Sequence, residues 1–262
     1  MSPWLSLINL FIGISKGFSV ILLGYLWGRK TRIPGVLRPL LWYVVFDAAI
    51  YVLGVAGSRL YHNNVPGFHL STFSDVTCLT LLFVRLASPR VRPWLRVGWV
   101  GFVGSALVSA LWVDGLCTNI NTLSRGVGNL FLVGMALRQL MQMSSYKRTL
   151  PPMRNPEMLL CVMVLLYYSC STLVIIGQDL PRYSWFKSSY TSAPGASFTI
   201  LTLLPYPFLR AIQAGVLVRL FALLPQGVRP RRALPRWLRF RLGWRPPTEP
   251  PQYRVLPAYL IK

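Results

Sequence analysis

Seven long apolar runs, separated by shorter segments of which every second one is rich in arginine, constrain this chain more than any other feature. They cover about residues 4–27, 40–57, 68–87, 97–113, 120–143, 156–177 and 197–224. A helix rises about 1.5 Å per residue, so roughly 17 to 25 residues cross the ~30 Å of hydrocarbon in a bilayer. Backbone polar groups in lipid must be satisfied within the protein, which leaves helices or closed barrels. The alternation of a barrel strand is absent. The expected fold class is therefore all-α, a polytopic transmembrane bundle of about seven spans in one domain, residues 1–224, followed by a basic tail, residues 225–262. Composition agrees: 53% of residues are hydrophobic and 13% charged, against about 25% charged in a soluble domain.

Arginine and lysine set the expected orientation. With the N-terminus outside, the inward segments hold Arg29, Lys30, Arg32 and Arg38, then Arg85, Arg90, Arg92 and Arg96, then Lys147, Arg148 and Arg154, and nine more after Pro225. The outward segments hold only Arg59, Arg182 and Lys187. That asymmetry predicts N-outside, C-inside, with an odd number of spans. Lys16 interrupts the first run and no basic residue precedes it, so it reads as a retained span and not a cleaved signal.

The net charge of +22 admits two partners. Cytoplasmic basic residues meet anionic lipid head groups, each worth on the order of 1 kcal/mol. The tail's Trp237, Phe240 and Trp244, set among arginines, could instead stack nucleic-acid bases. However, Leu234, Trp237, Leu238 and Leu242 share one helical face, the pattern of a helix lying in the membrane interface. Anionic lipid is the favoured partner over nucleic acid, beside an unidentified small ligand or protein. Cys78, Cys117, Cys161 and Cys170 form no metal spacing, and no phosphate loop or GxSxG nucleophile is present. No metal site, cofactor or catalytic residue is assigned.

Information then concentrates in polar residues inside the runs, where a charge costs roughly 2.5 to 3.5 kcal/mol and should face inward and pair. His69, Thr72 and Asp75 lie in the third run, and Asn121, Arg125 and Asn129 repeat every fourth residue along one face of the fifth. Asp75 and Arg125 sit at matching depths below the outer surface, which predicts that they meet, either as a structural pair that fixes helix register or in an outward-half pocket built by these six residues. A second cluster is expected from Lys16, Asp47 and Arg210. Pro205 and Pro207 remove two backbone donors and predict a kink or break near the middle of the seventh span. Broken spans of this kind often line a cavity.

The strings FHLSTFSDVTCLTLLF, NTLSRGVGNLFLV and NPEMLLCVMVLLYYS resemble, in order, the three best-marked segments of an uncharacterised family of small bacterial seven-helix integral-membrane proteins. The resemblance covers about residues 63–177. It aligns His69, Asp75, Asn121, Arg125, Asn155 and Pro156 with the family's polar positions, with Asp75 in place of a glutamate and Gly128 in place of another acid. It implies topology and no activity.

The functional expectation is a non-enzymatic sensor or scaffold with an outward polar pocket. A small-solute or ion transporter is second, and a membrane-embedded lipid hydrolase using His69 and Asp75 third. A retinal protein is excluded because the last span holds no lysine for a Schiff base. Inverted-repeat transport is weakened, since only the seventh run carries a Pro-x-Pro interruption.

Overall fold

The computed structural model describes residues 11, 13–15, 17–29, 33–60, 62–117, 121–144, 155–179 and 205–224. Among these residues the chain is helical, with seven α-helices and no strand. They are α1 (Phe18–Arg29), α2 (Arg38–Leu60), α3 (Val65–Leu86), α4 (Arg92–Val108), α5 (Thr122–Ser144), α6 (Pro156–Asp179) and α7 (Pro205–Leu223). A 3-10 turn, Gly35–Leu37, leads into α2, and a π-helical turn, Ser109–Val113, extends α4. Five of these units are long and apolar enough to cross a bilayer, namely Gly35–Leu60, Val65–Leu86, Arg92–Val113, Pro156–Ile176 and Pro205–Leu223. They mark the chain as a membrane protein with several spans.

The other two helices differ for separate reasons. α5 has 23 residues, length enough to cross, but it carries Arg125, Asn129, Arg138, Gln139 and Gln142. Of these, Asn129 and Gln139 are buried against neighbouring helices. α1 is described from Phe18, and much of the first predicted run, Lys16 included, lies outside the described residues.

Local chemistry explains several helix starts. Asn155 Oδ1 accepts the Glu157 N–H at 3.1 Å and Pro156 follows it, an N-cap with proline at the first helical position. The Asn–Pro pair marked by the family resemblance is thus the start of α6. Asn63 Oδ1 likewise accepts the Val65 N–H at 2.9 Å, ahead of Pro66. The tight α2–α3 connection places His62 in the left-handed region, φ 52°, which histidine tolerates better than a branched residue.

Six helices close a ring in the order α1, α2, α3, α5, α6, α7, with α7 packing back on α1. α4 leans on α3 and α5 from outside it. Leu95 and Phe102 are the only buried residues of α4, because most of its surface faces away from the protein.

Polarity separates along the ring's axis. Toward the end carrying Arg38, Arg85 and Arg92, the interior is hydrocarbon: Leu40, Leu79, Leu82, Leu132, Leu160, Leu220 and Phe221 form one continuous core. Toward the end formed by the α2–α3 connection, the buried residues include Asp47, Asp75, Asn121 and Arg210. Asn63 Nδ2 ties that connection to Cys117 O at 3.2 Å. Glycine permits the closest approach behind the polar half: a methyl on Gly128 would lie 2.7 Å from Val76 Cγ2 and 3.0 Å from Phe102 Cε2. No larger side chain fits that contact without repacking.

Candidate functional site

The polar end of the ring encloses a cavity of about 320 Å³. α2 supplies Asp47, Tyr51 and Arg59, α3 supplies Ser71, Thr72 and Asp75, α5 supplies Arg125, and α7 supplies Tyr206 and Arg210. Residues of both polar clusters expected from the sequence therefore line one site, with two carboxylates and three guanidinium groups around it. Periodicity explains why each helix contributes as it does: Asp47 and Tyr51 lie four residues apart, as do Ser71 with Asp75 and Tyr206 with Arg210.

The floor of the cavity is a connected network. Arg210 donates from a terminal nitrogen to Asp47 Oδ2 at 3.2 Å and to Gln213 Oε1 at 3.3 Å, and from Nε to the Tyr206 hydroxyl at 3.4 Å. Asp47 also accepts the Ser19 hydroxyl proton, and Gln213 donates to the Tyr43 hydroxyl. The guanidinium carbon stands 5.1 Å from the Tyr167 ring centre and 5.7 Å from that of Tyr206. An arginine so enclosed by one carboxylate, amide and phenol oxygens and two π faces is held in one orientation.

Asp75 and Arg125 stand differently. The predicted Asp75–Arg125 pair does not form: both line the cavity, but Asp75 Oδ1 is buried with no hydrogen-bond partner. Arg125 reaches Ser171 Oγ at 3.4 Å, a long hydrogen bond. Depth along a helix does not fix the angle at which a side chain faces the ring. α3 and α5 turn the two charges toward the same space and not toward each other. Among the described residues, Arg210–Asp47 is the ion pair of the cavity.

The remaining candidates divide. Asn121 Nδ2 donates to Thr72 Oγ1 at 2.7 Å and to Phe68 O at 3.2 Å, and Asn129 Nδ2 donates to Thr172 Oγ1 at 3.2 Å. Neither lines the cavity. They fasten α5 to α3 and α6, since a buried amide left unpaired would be costly. Thr72 touches the cavity, but its hydroxyl donates to Phe68 O at 3.1 Å. His69 is outside the cavity lining, and its Nε2 is buried without a partner. Pro205 and Pro207 occupy the first turn of α7, where a missing N–H costs no intrahelical bond. The expected mid-span break falls at a helix start, and the run before residue 205 lies outside the described residues.

Tyr206, Arg59, Tyr51 and Asn64 also belong to the lining, and none of them is a site candidate in the sequence. The four-residue spacing of Tyr206 to Arg210 was the available signal. Arg59 and Asn64 sit beside the short α2–α3 connection and carry no such mark. No group of three His, Cys, Asp or Glu side chains able to hold a metal ion occurs among the described residues. The chain matches no family model, no curated protein and no solved structure.

Proposed function

We propose that this is a bacterial inner-membrane sensor or scaffold of seven spans, N-outside and C-inside, that binds a small polar solute in the cavity. The basic-residue asymmetry supports the orientation and turns the cavity mouth, beside Arg59 and Asn64, outward. The seven-helix resemblance and the length of α5 support the span count.

One observation carries the binding reading. Asp75 and Arg125 both line the 320 Å³ cavity, and one carboxylate oxygen of Asp75, Oδ1, is buried with no partner in the protein. Buried polar atoms in proteins are nearly always satisfied, and a cavity of this size falls at the lower end of the range that holds small ligands. The chemistry it suits is a small solute carrying both signs, with an ammonium for Asp75 and a carboxylate for Arg125 and Arg59.

Thermal unfolding of the purified protein in detergent, with amino acids, dicarboxylates and small ammonium ions added in turn, tests the proposal. A ligand bound only by the folded state raises its stability by mass action. A rise of several degrees with a zwitterion, and none with matched ions of a single sign, is expected. An unchanged transition throughout the panel would overturn it.

A transporter is the second reading, favoured by one feature. Asp47 and Arg210 border both this cavity and a small void of about 10 Å³ on the side toward Leu217, so their ion pair stands as a barrier that could open. Uptake of the stabilising solute into proteoliposomes separates transport from sensing. Lipid hydrolysis has the least support, because His69 lies outside the cavity that Asp75 lines.

A further inference from the structure

At the opposite, basic end of the bundle, α3 and α4 border a second space, a groove of about 1000 Å³. Arg85, Arg92 and Arg96 line it together with Thr80, Leu81 and Trp99. Two of the arginines are anchored by backbone oxygens: Arg85 donates to Gly35 O at 2.5 Å and Arg92 Nε to Ala87 O at 3.1 Å. A guanidinium has five N–H donors, so these anchors fix the groups and leave donors for a ligand. The chain has only six carboxylates among its side chains, and none lines the groove. Among the described residues that line the groove, three positive charges therefore face no carboxylate.

Below the arginines the groove changes character. Thr80 lies five residues before Arg85 along α3, about 7 Å deeper. Its hydroxyl oxygen is buried without a partner. Leu81, Val84 and Val100 make apolar walls, and the Trp99 indole N–H, bonded to Thr77 Oγ1 at 3.1 Å, joins α3 to α4. A charged rim, one hydroxyl beneath it and then hydrocarbon walls reproduce the order of phosphate, ester and acyl chain in a lipid.

We propose that this groove is a specific site for one anionic phospholipid. The arginines hold the phosphate, Thr80 donates to a glycerol-ester oxygen, and an acyl chain lies between α3 and α4 against Leu81 and Val100. A free phosphate would use the rim alone and leave the apolar walls uncovered. The inference is independent of the cavity at the other end and holds whichever way the bundle faces.

Native mass spectrometry of the full chain, released from detergent after adding phosphatidylglycerol, tests it. One tightly retained phosphatidylglycerol is expected, with phosphatidylcholine of the same acyl chains and glycerol 3-phosphate each retained at least about tenfold less. Arg92→Gln with Arg96→Gln should weaken retention about tenfold or more, whereas Arg38→Gln with Arg90→Gln removes as much charge outside the groove lining and should change it little. Leu81→Trp keeps every arginine, replaces a residue already 51% exposed, and should also displace the lipid by filling the apolar groove. Equal loss in both arginine pairs would reduce the effect to general surface charge, and full retention in Leu81→Trp would leave a phosphate site without a lipid site. Either result overturns the proposal.

Discussion

Arg210 on α7 donates to Asp47 Oδ2 on α2 at 3.2 Å, across 163 residues of sequence, with each side chain about one-tenth exposed. Removing one partner of such a pair leaves a buried charge, at a cost of about 3 to 5 kcal/mol. Arg210→Met should therefore lower stability by about that amount, and Asp47→Leu combined with Arg210→Met should recover most of it. Chemical or thermal unfolding in detergent of the single and double variants is the measurement. A double variant no better than the single would mean that the surrounding Ser19, Tyr43 and Gln213 network, and not the charge pair, carries the cost.

Asp75 should respond in the opposite way. Its Oδ1 has no partner in the folded chain, so Asp75→Asn neutralises a buried carboxylate without breaking an ion pair and should cost less than about 1 kcal/mol. The same substitution should abolish stabilisation by the cavity ligand, as should Arg125→Gln. Unfolding with and without ligand separates the two effects. A large loss of stability without ligand would show that Asp75 is structural.

Asn121 and Asn129 fasten helices without touching the cavity. Asn121→Ala or Asn129→Ala should each cost about 1 to 3 kcal/mol by leaving a buried partner unpaired, yet keep the ligand-induced shift. If either variant unfolds normally but no longer responds to ligand, that residue belongs to the binding site after all.

Neighbouring glycines of α5 should differ in sign. A methyl at Gly128 would press on Val76 and Phe102 within 3.0 Å, whereas one at Gly126 meets nothing within 4 Å. Gly128→Ala should destabilise by about 1 to 3 kcal/mol through overpacking. Gly126→Ala should be neutral or gain up to about 1 kcal/mol from helix propensity. Matched melting curves decide, and equal effects would mean that α3, α4 and α5 do not pack this closely.

Orientation has its own test. A reporter active only in the cytoplasm should work when fused after Arg32, Arg92, Arg148 or Arg229, and be silent after Asn64, Thr118 or Lys187. The reversed pattern would turn the cavity mouth inward.

Helical class and membrane residence were legible without coordinates, because the length and apolarity of a span are properties of consecutive residues. The runs at 40–57, 68–87, 97–113, 156–177 and 197–224 correspond to the five helices apolar enough to cross a bilayer. The charged residues worth attention were legible for the same reason: Asp47, Asp75, Arg125 and Arg210 stand out against hydrocarbon wherever their helices point. Helical spacing also placed Asn121, Arg125 and Asn129 on one face.

The partners were legible only in part: Asp47 and Arg210 fall in one expected cluster and do pair, but the pairing expected of Asp75 with Arg125 does not form. Depth along a helix follows from counting residues, but the angle at which a helix faces the ring depends on how all its neighbours pack. That angle leaves Asp75 and Arg125 facing a common space and brings residues of both expected clusters to one cavity. It also turns Asn121 and Asn129 into fasteners and keeps His69 out of the site. A residue's energetic demand to be paired is local, and its partner is chosen by contacts that lie far apart in the chain.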